Sequence, residues 1–253
     1  MAAADSYTQY ATAIGYLAAN KVNSLTSYDT AVGYRALANS TSLGSNTAVG
    51  ADALLQSTGG ANTALGRNAL GGVTTGWGNI GIGALGGQLL TTGDSNIAIG
   101  NQGVAGESHT IRIGDSLYQT RAFIVGIRGV TTGNANAMPV LVDSAGQLGT
   151  ANSSRRVKRD IRDMGDTTEI VMGLHPVRFR FKAHGANGHE QYGLVAEEVA
   201  EVAPELVARD KDGQIETVFY DKVNAMLLNE VQKQHRLIRQ LESRLAEVES
   251  GLK

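Results

Sequence analysis

The 253-residue chain contains no cysteine, only three prolines, and few aromatic side chains, which make up 5% of it. Without cysteine, neither a disulfide framework nor a thiolate metal site can be built. No stretch approaches 18 consecutive apolar residues, so no membrane insertion is expected. A formal net charge of −2 gives no reason to expect a polyanion partner. The opening residues Met1 to Tyr10 lack the basic start and apolar core of a secretory signal, so the chain is expected either to be made in the cytosol or to be a fragment. Glycine, by contrast, is abundant: 32 residues, about twice the usual share.

The composition divides sharply near residue 150. Residues 1–150 hold 25 of the glycines and 13 charged side chains, whereas residues 151–253 hold 7 glycines, 17 acidic and 16 basic side chains. A single core would mix these compositions, so at least two modules of different architecture are expected.

The first module is a repeat. A pattern Thr-Ala-apolar-Gly or its near equivalent recurs as Thr12-Ala13-Ile14-Gly15, Thr30-Ala31-Val32-Gly33, Thr47-Ala48-Val49-Gly50, Thr63-Ala64-Leu65-Gly66, Ile80-Gly81-Ile82-Gly83 and Ile97-Ala98-Ile99-Gly100. Successive motif glycines are 18, 17, 16, 17 and 17 residues apart. Ala36-Leu37, Ala53-Leu54, Ala69-Leu70 and Ala84-Leu85 follow four copies, and Asn46, Asn62, Asn79 and Asn96 precede four. Such a period predicts a solenoid. It is too short for two helices and is punctuated by Gly, Asn, Ser and Thr, which favours two brief strands and two turns per coil, a β-roll with a narrow interior of small side chains. One coil has little core, so burial must come from stacking and from association of several chains.

These repeats resemble the head repeats of trimeric autotransporter adhesins, which form β-rolls packed as trimers and have relatives in phage tail fibres. The period is slightly longer than in the adhesin heads, and no counterpart of the autotransporter's membrane-anchoring C-terminal strands follows, so the self-secreting form is disfavoured. The resemblance implies a β-roll over residues 1–106. Residues 107–150 read as a β-rich neck, with strands at Thr110 to Ile113, Ala122 to Ile127 and Val140 to Asp143 and a turn at Asp143-Ser144-Ala145-Gly146.

Residues 151–223 read as a small α+β domain: an alternating strand within Leu174 to Lys182, helical spacing over Gly193 to Val202 ending near Pro204, and a hairpin turning at Asp210-Lys211-Asp212-Gly213. Residues 224–253 carry a heptad pattern. Val231, Ile238, Leu245 and Leu252 fall at a, and Leu227, Leu241 and Val248 at d, interrupted by Asn224 at a and Gln234 at d. A C-terminal parallel coiled coil is expected, in which Glu230 faces His235, and Arg244 faces Glu249, of a neighbouring chain. The a and d residues by themselves allow a dimer; a homotrimer is what the roll resemblance implies.

The order Ser153-Ser154-Arg155-Arg156-Val157-Lys158, then Pro176 to Phe181, then Tyr192-Gly193-Leu194-Val195-Ala196-Glu197, then a terminal coiled coil, resembles the intramolecular chaperone auto-processing domain. That domain ends endosialidase tailspikes, other phage tail fibres and the myelin regulatory factor. The resemblance covers about residues 150–253. It implies a domain that trimerises, templates folding of the fibre before it, and releases itself with a Ser-Lys dyad. On the family pattern Ser-Asp-x-Arg-x-Lys, Ser153 is the nucleophile and Lys158 the general base, with Arg156 matched and Ser154 replacing the aspartate. An amine activates a serine only when its pKa is lowered by desolvation or nearby positive charge, and Arg155, Arg156 and Arg159 supply such charge. Whether cleavage survives the Ser154 replacement is left open, and a permanently uncleaved adhesion or receptor-binding fibre is the alternative.

Other motifs carry less. Gly81 to Gly86 forms a GxGxxG, but no helix or spaced acidic residue follows, so it belongs to the repeat. His184 and His189 have no third ligand at metal spacing, and Arg155, Arg156, Lys158, Arg159 and Arg162 are interleaved with Asp160, Asp163 and Asp166. No metal, cofactor or nucleic acid is expected. Tyr7, Tyr10, Tyr16, Tyr28 and Tyr34 offer either a surface for a cell-surface glycan or receptor, or packing between chains. A glycan-degrading activity has no paired-carboxylate cluster here. The expected setting is a virion tail fibre made in the host cytoplasm, with a bacterial surface or secreted location as the alternative.

Overall fold

The computed structural model describes residues 11–21, 28–41, 44–185 and 187–251. Tyr7, Tyr10, Leu252 and the side chain of His184 lie outside the described residues. The chain forms two compact units, Met1–Val130 and Thr131–Lys253.

In the first unit, each motif becomes one three-residue strand: β1 (Thr12–Ile14), β2 (Thr30–Val32), β3 (Thr47–Val49), β4 (Thr63–Leu65), β5 (Ile80–Ile82) and β6 (Ile97–Ile99), followed by β7 (Ile111–Ile113). They pair in chain order as one parallel sheet, like residue opposite like: Ala31 faces Ala48, and Ala48 faces Ala64. This is a β-solenoid, and its sheet runs one strand past residue 106. In β2 to β6 the central residue turns inward, which is why it is Ala or Gly: Ala31, Ala48 and Ala64 are wholly buried.

Among the described residues each coil has one strand, not two. After the motif glycine, alternate residues enter the left-handed region: Arg35 and Leu37 both at φ 53°, Asp52 at 59° and Leu54 at 47°, Asn68 at 56° and Leu70 at 49°. That alternation is incompatible with a pleated strand, so the far side of the coil is a rounded corner held by bonds between coils, such as Leu54 N–H to Ala69 O at 3.0 Å. A leucine in this region costs about 1–2 kcal/mol. Leu37, Leu54 and Leu70 are wholly buried, and burial worth about 1.5–3 kcal/mol each offsets that cost. The motif glycine has a stricter reason: at Gly33, φ is +138° and an added Cβ would sit 2.6 Å from the carbonyl oxygen of Gly50 on the next coil.

An asparagine ladder runs through the interior. Asn46, Asn62, Asn79 and Asn96 are almost wholly buried. The backbone N–H of Asn62 donates to Asn46 Oδ1 at 3.0 Å, that of Asn79 to Asn62 Oδ1 at 2.9 Å, and that of Asn96 to Asn79 Oδ1 at 3.0 Å. Their amides donate across the coil, Asn62 to Gly76 O at 2.9 Å and Asn79 to Gly93 O at 2.8 Å. The ladder satisfies backbone groups that a one-strand coil leaves without sheet partners.

Ala122 to Ile127, expected as a strand, is irregular and exposed, with Phe123 85% and Val125 99% accessible. A run of apolar residues alone does not make a strand: among the described residues no strand pairs with this segment. The expected turn at 143–146 is present, with Gly146 N–H donating to Asp143 O at 2.9 Å between the short strands β8 (Leu141–Val142) and β9 (Leu148–Gly149).

The second unit contains β10 (Val177–Phe179), β11 (Gln191–Gly193), α1 (Ala196–Val202), β12 (Val207–Arg209), β13 (Ile215–Val218) and the long helix α2 (Tyr220–Gly251). β10 and β11 are antiparallel, with Val177 opposite Gly193, so the stretch expected to be helical from Gly193 starts later, at Ala196. Gly193 is pinned instead by α2, since a Cβ there would lie 2.7 Å from the Tyr220 hydroxyl, which accepts the Leu194 N–H at 3.0 Å. The hairpin of β12 and β13 turns at Asp210–Gly213 as expected. Val199, Ala203, Leu206, Val207, Val218 and Val223 form the core that joins α1, the hairpin and the start of α2.

Candidate functional site

The segment before β10 opens with a single 3₁₀ turn, Arg155–Val157. Ser154 stands at its N-cap in extended conformation, and its Oγ accepts the Arg156 N–H at 3.3 Å and Nε–H at 3.2 Å. Asn152 Oδ1 accepts the Ser154 N–H at 2.9 Å. The turn folds five residues into a loop, so that Lys158 Nζ donates to Ser153 Oγ at 2.8 Å. The two residues singled out from sequence are thus in hydrogen-bonding contact. Both are exposed.

A hydroxyl and an amine in contact are the two groups that activation of a serine requires, and here both lie open to solvent.

Asp and Ser are both strong N-cap acceptors. Ser154 fills that role here for the turn that brings Lys158 back to Ser153.

A second polar constellation escaped the sequence reading. Thr168, in the 3₁₀ segment Gly165–Gly173, is buried and its hydroxyl donates to Glu230 of α2, which is also buried. Asn229 Nδ2 donates to Thr168 Oγ1 at 2.6 Å and to Gly165 O at 2.8 Å. Lys233 Nζ lies 3.1 Å from Asp166, 3.1 Å from Glu230 and 3.4 Å from Glu169. The Thr168 hydroxyl holds the Glu230 carboxyl below the ordinary carboxylate range against the opposing effect of desolvation, with Lys233 adding to it. The hydrogen bond that Lys233 donates to Asp166, with those to Glu230 and Glu169, raises Lys233 despite desolvation. Glu230 is therefore engaged within its own chain, which corrects its expected pairing with His235 of a neighbour: the g position is covered by the 165–173 segment, which folds onto α2. Thr168 and Glu230 are 62 residues apart, and no local pattern links them.

The rest of α2 is different. At the heptad positions, Leu227, Val231, Ile238, Leu241, Leu245 and Val248 are each 43–60% exposed, as are Leu228 and Leu237 beside them at 58% and 55%. Among the described residues no three His, Asp or Glu side chains gather as a metal site, and no helix is long and apolar enough to cross a membrane. The GxGxxG at Gly81 to Gly86 is strand β5 and the corner after it, with no helix following. The arginines 155, 156, 159 and 162 are exposed, Arg159 lying 3.9 Å from Asp160. Tyr16 and Tyr34 stack on adjacent coils with centroids 5.8 Å apart, and Arg35 lies over Tyr34 while pairing with Asp52 at 2.7 Å.

Residues 153–208 match the family model described as chaperone of endosialidase. The match begins at Ser153, takes in Lys158, β10, β11 and α1, and ends within β12, short of β13 and α2. No curated protein matches the chain.

Proposed function

We propose that this chain is a segment of a trimeric, tail-fibre-like protein whose C-terminal module is an intramolecular chaperone for trimer assembly, and that Ser153 and Lys158 release that module by self-cleavage. The observation that carries the assembly reading is the exposed apolar row of α2, which water would not leave unpartnered over so many turns. Leu228 and Leu237 widen the row beyond a and d to the flanking heptad positions, which favours three chains over two, because flanking residues come closer to the axis as chains are added. A helical association is fast and fixes register, whereas pairing of short β segments between chains is slow and prone to aggregation, so the helices raise the effective concentration of the roll segments.

In the cleavage step, Ser153 Oγ adds to the carbonyl carbon of the Asn152–Ser153 bond as its proton passes to Lys158 Nζ. The Ser153 nitrogen leaves with a proton as the new amine, and water hydrolyses the resulting ester to a carboxylate at Asn152. Burial of the dyad by neighbouring chains supplies the missing desolvation. Removing the chaperone after assembly makes the trimer kinetically hard to reverse.

The test is the intact mass of freshly purified wild type beside Ser153→Ala and Lys158→Ala under denaturing conditions. Wild type is expected to separate at Ser153 while both variants stay whole. If all three stay whole, the second reading holds, an uncleaved adhesion or receptor-binding fibre with a trimerising cap; the exposure of both dyad residues in the single chain favours it. Assignment to a virion rather than a bacterial surface, and a glycan ligand for the Tyr16 and Tyr34 surface, belong to the same proposal.

A further inference from the structure

The asparagine ladder begins with an aspartate. Asp29 precedes β2 as Asn46, Asn62, Asn79 and Asn96 precede β3 to β6, and it is only 1% exposed. Its Oδ1 accepts the Asn46 N–H at 2.8 Å, reproducing the ladder bond made by each asparagine above it. Its Oδ2 is buried and has no hydrogen-bond partner among the described residues. In the following coils the atom in that position is an amide nitrogen, and it donates to a backbone carbonyl: Gly59, Gly76, Gly93 and Glu107 accept from Asn46, Asn62, Asn79 and Asn96. An ionised oxygen cannot donate. A protonated carboxyl can, and it has almost the shape of the amide.

We propose that Asp29 is carried in the folded roll as the neutral carboxylic acid, an asparagine surrogate, and that this makes the N-terminal coils of the roll tighter in acid than at neutral pH. The surroundings agree. β1 contributes Thr12, whose N–H donates to the Asp29 carbonyl at 2.9 Å, and the β3 coil contributes Asn46; neither is charged. On its own segment the neighbours are Tyr28 and, further back, the exposed Lys21, while residues 22–27 and 42–43 contain no titratable side chain. Burial raises the Asp29 carboxyl above its ordinary range, and the opposing backbone and side-chain hydrogen bonds from Asn46 do not cancel it. With the folded value raised, the stabilising contribution is fully present below the unfolded value and is lost as pH rises through the folded one.

Amide hydrogen exchange of the full chain, corrected for intrinsic rates, tests this at Thr12, Thr30 and Asn46, with Asn79 and Asn96 as controls in the same molecule. Protection of the first three is expected to fall by up to tenfold per pH unit above about pH 4, until the folded carboxyl ionises, while the controls stay flat. Asp29→Asn should abolish the slope and raise protection at neutral pH. The infrared carbonyl band of a protonated acid should be present in wild type at mildly acidic pH and missing in Asp29→Asn. A wild-type slope no steeper at the first coils than at the controls, or no protonated-acid band, overturns the proposal without any need for the variant to fold.

Discussion

Replacing Asn79 with alanine tests whether the ladder holds the roll together. Asn79 is wholly buried. Its Oδ1 accepts the Asn96 backbone N–H and the Asn96 amide, each at 3.0 Å, and its own amide donates to Gly93 O at 2.8 Å. Alanine removes all three bonds. The Asn96 amide keeps Glu107 O at 2.8 Å, so two buried groups lose the ladder partner, the Asn96 N–H and the Gly93 carbonyl. At about 1–3 kcal/mol for each buried unsatisfied group the loss is about 2–6 kcal/mol, falling towards the lower end if water enters the vacated space. About 2 kcal/mol is already roughly a 30-fold change in an opening equilibrium. A solenoid coil touches only its neighbours, so the loss should be local: amide exchange is expected to accelerate at Leu70, Ile80 and Asn96 and to change little at Thr30. Protection at Asn96 within about twofold of wild type would refute the assignment of stability to the ladder.

Two further outcomes are expected. The Glu230 carboxyl is held below its ordinary value by the Thr168 hydroxyl, so its contribution is present above about pH 4.3 and is lost as pH falls through the lower folded value. Exchange of the 165–173 amides should therefore rise in acid for wild type and lose that response in Glu230→Gln; an identical acid response in both would mean that Glu230 does not hold this segment against α2. Placing aspartate at Ile238 and Leu241 puts two charges in the apolar row of α2, and light scattering after size exclusion should show loss of the assembly; an unchanged mass would mean that the row is not the interface.

Much of the roll is written in the sequence because it is local and repeated. A Thr-Ala-apolar-Gly motif at a near-constant period puts like residues opposite one another in a parallel sheet, so strands β1 to β6 could be placed from spacing alone. The heptad row of α2 and the hairpin at Asp210–Gly213 are likewise short-range patterns. Ser153 and Lys158 were legible through a resemblance, and the 3₁₀ turn between them is what turns a separation of five residues into a 2.8 Å contact.

Tertiary structure decided the rest. In the coils of β2 to β4 the far side is a corner and not a second strand, because the buried Leu37, Leu54 and Leu70 trade backbone strain for burial, a balance that composition does not display. Ala122 to Ile127 has the letters of a strand, and among the described residues no strand pairs with it. Glu230, an ordinary exposed heptad position by sequence, is buried under Thr168 because a segment 62 residues away folds onto the helix. Asp29 differs from its four asparagine counterparts by one atom, and only the closed interior of the coil gives that atom a chemical meaning. Local pattern fixes which residues repeat, face inward or line one side of a helix, since these follow from backbone period; which polar atoms are satisfied is fixed by distant parts of the chain that meet only when it folds.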